Sequence, residues 1–299
     1  MIYLQGPVGP ASRQAGGQGL SSQTGKADLT ACAIVCVRNE IRYLPHLIAH
    51  LEEQELGVFF IDNGSDDGTL DYIRSRVGNG VLGVEELPYR GVFSLGDQLQ
   101  AKAEIEQGLP HDWIMHLDAD ERPHACLPQD SLLDVVKRAD RNGDNVINFE
   151  EFVFLPFNLP DEGGGNLARN GGEMAFASEY YYYFAPSPRR LMRLYKRNAG
   201  LDNRGRAGHS LDGSVSVYPE NQVLRHYIAL DQEHLFSKYV GRKFDESELR
   251  LTWHKNRTNL TRQDLMLTDD VALNMDRLPH AESYAFSRNT NRQDHFWHW

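Results

Sequence analysis

The hydrophobic pattern begins at residue 29. "LTACAIVCV", residues 29–37, is a short apolar run rich in small and β-branched side chains, and it reads as a buried strand. In the next stretch, "RNEIRYLPHLIAHLEEQE", Leu44, Leu47, Ile48 and Leu51 recur at helical spacing, which predicts an amphipathic helix. Val58–Ile61 is a second apolar run, closed by the polar turn "DNGSDDGT". "LDYIRSRV" predicts helix, "GVLGVEEL" strand and "SLGDQLQAKAEIEQG" helix, and "DWIMHLDADE" is a strand that runs straight into carboxylates. Strand and helix alternate with short connections. The expected fold is α/β, a mostly parallel central sheet flanked by helices.

From residue 146 the pattern changes. "VINFEEFVFLP" is strand-like, residues 160–179 form a Gly-rich loop, and "YYYYFAPSPRRLMRLYK" predicts an aromatic and basic strand. "SVSVYPENQVLRHYI" predicts more strand, "LDQEHLFSKYVGRKF" a helix, and "RQDLMLTDDVALNMDRL" a further helix in a helical C-terminal extension. Residues 1–28, rich in Gly, Gln and Ser, carry no periodicity and read as a disordered leader. The expected organisation is that leader, a main domain over 29–244 (halves 29–124 and 125–244), and an extension over 245–299.

Composition narrows the function. The 299 residues carry a net charge of −11, a surface that repels phosphate backbones and argues against nucleic acid as partner. Cys32, Cys36 and Cys126 are odd in number and lack metal-finger spacing, which suggests reduced thiols in a cytoplasmic protein. No apolar run approaches the ~20 residues of a membrane span. Peripheral contact with a membrane stays open.

In a parallel sheet, ligands bind outside the carboxyl ends of the strands. The residues there are Arg38-Asn39-Glu40, Asp62-Asn63-Gly64-Ser65 and Asp118-Ala119-Asp120-Glu121. Two carboxylates spaced i, i+2 past a strand suit Mg²⁺ or Mn²⁺ held together with phosphate oxygens. A second oxygen-rich stretch, "DRNGDNVINFEE" (Asp140–Glu151), has the spacing of a calcium loop. Against it, position 6 is Asn145 rather than Gly, and the exit side holds Pro156 and Pro160 where a helix is needed. The stretch also fits a polar helix-to-strand turn at 142–145. The calcium-binding alternative therefore rests on this one loop.

"CVRNEIRYLPHLIAHL", "FFIDNGSDDGTLDYI" and "DWIMHLDADE", followed late by "RHY" and "HLFSKYVGRK", resemble the successive motifs of family-2-type glycosyltransferases with the GT-A fold. The resemblance covers residues 31–124 well and 190–244 loosely. It implies metal-dependent transfer of a sugar from a nucleoside diphosphate sugar to a hydroxyl acceptor, in polysaccharide or glycoconjugate synthesis, with a saccharide or lipid-linked saccharide as acceptor. Arg38, Asn39 and Glu40 would line the nucleotide pocket, with Asp62 and Asn63 at the base or ribose. Asp118 would face ribose and metal, Asp120 would be the main ligand of Mn²⁺ or Mg²⁺, and His226 would complete the shell. Lys238 or Arg242 would touch the diphosphate, and Lys102 or Gln98 would reach the nucleotide. An inverting reaction needs a general base for the acceptor hydroxyl. The candidates are Asp212, Glu150, Glu151 and Glu233, with His209 near the first; a retaining outcome stays open. Sugar-nucleotide pyrophosphorylases share the general fold, but they carry a Gly-rich basic loop after the first strand where this chain has "VRNEIRYLPH".

Overall fold

The computed structural model describes residues 28–157, 173–186 and 191–299. Residues 1–27 of the expected 1–28 leader, most of the Gly-rich loop at 160–179 and residues 187–190 lie outside the described residues.

The first half alternates as the pattern predicts: β1 (Ala31–Val37), α1 (Leu44–Glu53), β2 (Gly57–Asp62), α2 (Thr69–Arg76), β3 (Val81–Glu86), α3 (Leu95–Gly108) and β4 (Trp113–Leu117). Strand β1 lies between β2 and β4, parallel to both, and β3 extends the sheet beyond β2, also parallel. Both faces of β1 are covered. Ala33, Val35 and Val37 face one core with Leu44, Leu47, Ile48 and Leu51 of α1. Cys32, Ile34 and Cys36 face another with Ile105 and Leu109. A strand buried on both faces reads as a continuous apolar run, which is why β1 was visible without alternation. Cys32 and Cys36 are free, and burial pushes both thiols up to about 12. They are core residues, not nucleophiles.

The second half comprises β5 (Glu121–His124), α4 (Leu132–Asn142), β6 (Val146–Phe154), β7 (Tyr180–Phe184), β8 (Leu191–Lys196), β9 (Gln222–Tyr227) and α5 (Gln232–Tyr239). Strand β8 inserts antiparallel between β4 and β6, so the parallel sheet continues as a mixed one. β9 runs parallel to β6 and antiparallel to β5, pairing Glu121 with His226. This crossing carries the late His-Tyr dipeptide back to the carboxylates.

The C-terminal extension differs in detail from the expected long helix. It forms α6 (Glu246–Arg250), α7 (Asp269–Leu273) and two short strands, β10 (Asp276–Arg277) and β11 (Asn291–Arg292), both paired with β7. Thr268 caps α7 by accepting from the Val271 N–H, so the helical run starts only there. The terminal aromatics dock: His295 stacks on Phe184 at 4.2 Å between ring centroids and hydrogen-bonds the Tyr182 hydroxyl at 2.8 Å.

Candidate functional site

The site forms where β1, β2 and β4 end. Asn39, in the left-handed region at φ 60°, holds two loops together. Its side chain donates to Asp66 Oδ1 at 2.8 Å and accepts from the Asp66 N–H at 2.9 Å. Thr69 Oγ1 accepts from the Glu40 N–H. The "RNE" and "DNGSDDG" segments are therefore one rigid unit, and Asn39 is its tie rather than a free binding group. Asn63 is likewise engaged, donating to the Leu87 carbonyl at 3.0 Å.

Three polar atoms in this unit are buried without a partner: Arg38 Nε, Glu40 Oε2 and Asp62 Oδ1. The other Asp62 oxygen accepts from the Ser65 N–H. The Arg38 guanidinium lies 3.8 Å from the Tyr89 ring centroid, forming a flat cationic platform beside Asp62. An unpartnered buried polar atom is destabilising unless something satisfies it. Next to them a small open cleft is lined by Asn63, Leu87, Pro88, Arg90, Ser94 and Asp97, among others.

The D-x-D carboxylates face basic groups. Lys102 reaches up from α3, donating to the Leu117 carbonyl at 3.0 Å, and lies 3.7 Å from Asp118 Oδ1. Arg193, on β8, sits 3.7 Å from Asp118 Oδ2 and 2.7 Å from Glu121 Oε1. Burial opposes the charge of Asp118, but Lys102 and Arg193 outweigh it and hold the carboxyl below its ordinary range. Asp120 Oδ2 lies 2.5 Å from Lys238 Nζ and 3.2 Å from His226 Nε2. Behind the imidazole, Glu151 Oε1 meets Nδ1 at 2.7 Å. Burial works against His226 carrying a proton, yet Asp120 and then Glu151 outweigh it and hold the ring well above its usual range. Lys238 stays charged for the same reason, Asp120 overcoming burial.

These distances test the expected metal. Among the described residues no three His, Cys, Asp or Glu side chains converge as metal ligands. Oδ2 of the buried Asp120 is already shared by Lys238 Nζ and His226 Nε2. A unit charge pair ~4 Å apart at an effective dielectric of ~20 interacts by about 4 kcal/mol, and a divalent ion doubles that. As arranged, Asp120 Oδ2 and His226, engaged with each other and with Lys238, do not fit a divalent ion.

The sequence-assigned residues thus separate into two sets. Arg38, Glu40, Asp62, Lys102, Asp118, Asp120, His226 and Lys238 gather at the strand ends, with Glu151 behind His226. Arg242 is near them, its guanidinium 4.1 Å from the Phe93 ring centroid. Gln98 is buried in the packing of α3. The other base candidates do not join this gathering, although the loop that carries Asp212 touches it through the Gly208 carbonyl, which accepts from Arg193. Glu150 pairs with Arg288 at 2.6 Å, Glu233 is exposed beside Arg262, and Asp212 accepts from Arg206 at 2.8 Å. Arg193 was missed, and Glu121, already placed at a strand end, was given no role. The available signal was a charge at a core-facing position of an apolar strand, "LMRLY".

The calcium loop dissolves into other contacts. Helix α4 ends at Gly143, in the left-handed region at φ 81°, and the chain enters β6 instead of a second helix. Asp140 pairs with Lys196, Asp144 accepts from Ser216, and Glu151 holds His226.

The α/β sheet flanked by helices is consistent with a GT-A fold. Residues 32–152 match the family model described as Glycosyl transferase family 2, as the motif resemblance implied. Among solved structures, S. aureus TarS 1-349 in complex with UDP aligns at 12% identity and TM-score 0.40, covering 81% of this chain and 76% of that one. A putative nucleotide-diphospho-sugar transferase from Desulfovibrio desulfuricans G20 aligns at 11% identity and TM-score 0.23, covering 42% and 58%. The chain spans 46% of the length of another TarS structure it matches, at 12% identity and TM-score 0.38 with 81% of this chain covered. A comparison with curated proteins finds no match.

Proposed function

We propose that this protein transfers a sugar from a nucleoside diphosphate sugar to a hydroxyl group of a saccharide or lipid-linked acceptor. The observation that carries this reading is the trio of unpartnered buried atoms, Arg38 Nε, Glu40 Oε2 and Asp62 Oδ1, beside the cationic D-x-D cluster. In the transfer, the bond from the anomeric carbon to the diphosphate oxygen breaks, and its electron pair stays on the diphosphate. The acceptor oxygen bonds that carbon and its proton passes to a carboxylate. Asp212 is our candidate for the base. Its loop reaches the cluster through the Gly208 carbonyl, which accepts from Arg193, and its partner Arg206 is exposed. That assignment favours inversion. No helix among the described residues is long and apolar enough to cross a membrane.

The unsatisfied Asp62 oxygen needs a donor, and we assign it the ring N–H of the base rather than an exocyclic amino group. Uracil and guanine do; cytosine and adenine present an acceptor at the corresponding ring nitrogen. Titration calorimetry with UDP, GDP, CDP and ADP is expected to show binding of UDP or GDP only, weakened about tenfold or more by Asp62→Asn. Failure of all four to bind would remove the glycosyl-transfer reading.

Glu40 adds a pH signature. Burial pushes its carboxyl up to about 7, with Lys238 opposing. A diphosphate beside it disfavours the ionised form further, so binding takes up a proton. Below pH ~7 Glu40 is already protonated and affinity is at its plateau; above it, affinity falls as pH rises. A UDP-hexose, whose diphosphate has no ionisation near neutrality, is expected to show this in calorimetry across buffers of different ionisation enthalpy. Glu40→Gln should flatten the profile.

A further inference from the structure

We propose that the Lys238 ammonium, fixed on Asp120, performs the task assigned to a divalent cation: it binds the donor diphosphate and neutralises the charge that the diphosphate gains on leaving. The inference rests on the glycosyl-transfer reading above and adds that transfer proceeds without divalent metal.

Lys238 is held in place at both ends. Its helix, α5, begins at Asp231, whose side chain accepts from the His234 N–H at 2.7 Å and pairs with Arg42 at 2.7 Å. Leu235, Phe236 and Tyr239 of α5 are buried in the core. At the other end, Nζ sits 2.5 Å from Asp120 Oδ2 and 5.4 Å from the Tyr43 ring centroid. An ammonium has three donors. Asp120 takes one and orients the rest, and donors remain for phosphate oxygens. The neighbouring carboxylate is compensated in the same way, since Asp118 has Lys102 and Arg193 at 3.7 Å. Asp120, the buried carboxylate of the motif, thus already has a resident cation in contact, and the half-exposed Asp118 has two at longer range. As the anomeric C–O bond breaks, the electron pair moves onto a diphosphate oxygen; a fixed positive charge at that position stabilises it without reorganisation.

The competing explanation is that the Lys238–Asp120 pair only ties α5 to the loop after β4. Calorimetry of EDTA-dialysed protein with UDP and with GDP, with and without Mn²⁺, separates the two. The expected result is metal-free binding of at least one nucleotide, changed less than about threefold by Mn²⁺. Lys238→Met should weaken it more than about tenfold, Lys238→Arg should retain most of it, and Mn²⁺ should restore binding to Lys238→Met by taking the vacated place on Asp120. Wild-type binding that requires Mn²⁺ overturns the inference and leaves the transfer reading standing. So does metal-free binding unchanged in a Lys238→Met protein whose melting curve matches the wild type. Absence of binding by both nucleotides under every condition removes this inference, and the transfer reading falls with it if CDP and ADP also fail to bind. Should Lys238→Met fail to fold, the wild-type comparison and Lys238→Arg decide.

Discussion

Replacing Arg193 by Met is expected to destabilise the fold by about 3–5 kcal/mol, the range for removing one partner of a buried ion pair. Arg193 is 6% exposed and Glu121 is 1% exposed, so the abandoned carboxylate has no water to turn to. Glu121 Oε1 loses its guanidinium at 2.7 Å and keeps only the Asp118 N–H, which donates to Oε2 at 3.0 Å. The melting temperature should fall by on the order of 10 °C. The cause can be read from pH. Burial already pushes the Glu121 carboxyl up to about 7 with Arg193 opposing; without Arg193 it rises further, so the variant goes on losing stability as pH rises past the point where the wild type has levelled off. Melts at about pH 5 and about pH 8 should diverge from wild type mainly at the higher pH. The double variant Arg193→Met, Glu121→Gln should recover most of the loss, because no uncompensated charge remains. An equal penalty in single and double variants would mean that Arg193 acts by packing alone.

Neither Arg193 nor Glu121 was assigned from the sequence, and the reason bears on what else was readable. The parallel half of the sheet announces itself because β1 and β4 are buried on both faces, and because Gly, Asn and Asp cluster where the chain turns. Those local signals also place Asp62, Asp118 and Asp120 at strand ends. Partner choice is not local. Asp120 meets Lys238 across 118 residues of chain, and Glu151 meets His226 only because β9 returns beside β6 in parallel register. The antiparallel insertion of β8 decides whether Arg193 points at Asp118 or away, and one residue of slip would reverse it. The same non-locality dissolved the calcium loop. Its residues have the right types and spacing, but their partners, Lys196, Ser216 and His226, come from strands and turns the loop itself does not specify. Asp212 was suggested by distance along the chain from the D-x-D motif, which carries no information about Arg206.

Asp120→Asn is expected to lower kcat by about 10²–10³, the scale of removing one preorganised electrostatic contact, while leaving UDP affinity within about tenfold of wild type. This split follows from what Asp120 holds. The amide keeps the size of the side chain but no longer anchors Lys238 at 2.5 Å or balances His226 at 3.2 Å. Lys238 stays on α5 and still attracts the diphosphate, now without a competing carboxylate, so binding persists. What is lost is its fixed position as charge develops on the leaving group, and misplacement of about 1 Å at a reacting centre suffices for a loss of ~10². His226 responds separately. With Asp120 neutral, burial regains ground and the imidazole proton is held only by Glu151, so its pKa comes down from its raised value. A metal ligand behaves differently under the same substitution: nucleotide binding itself disappears, because the bridge between carboxylate and diphosphate is gone. Single-turnover rates measured beside UDP titrations on Asp120→Asn therefore distinguish a carboxylate that positions an ammonium from one that coordinates an ion.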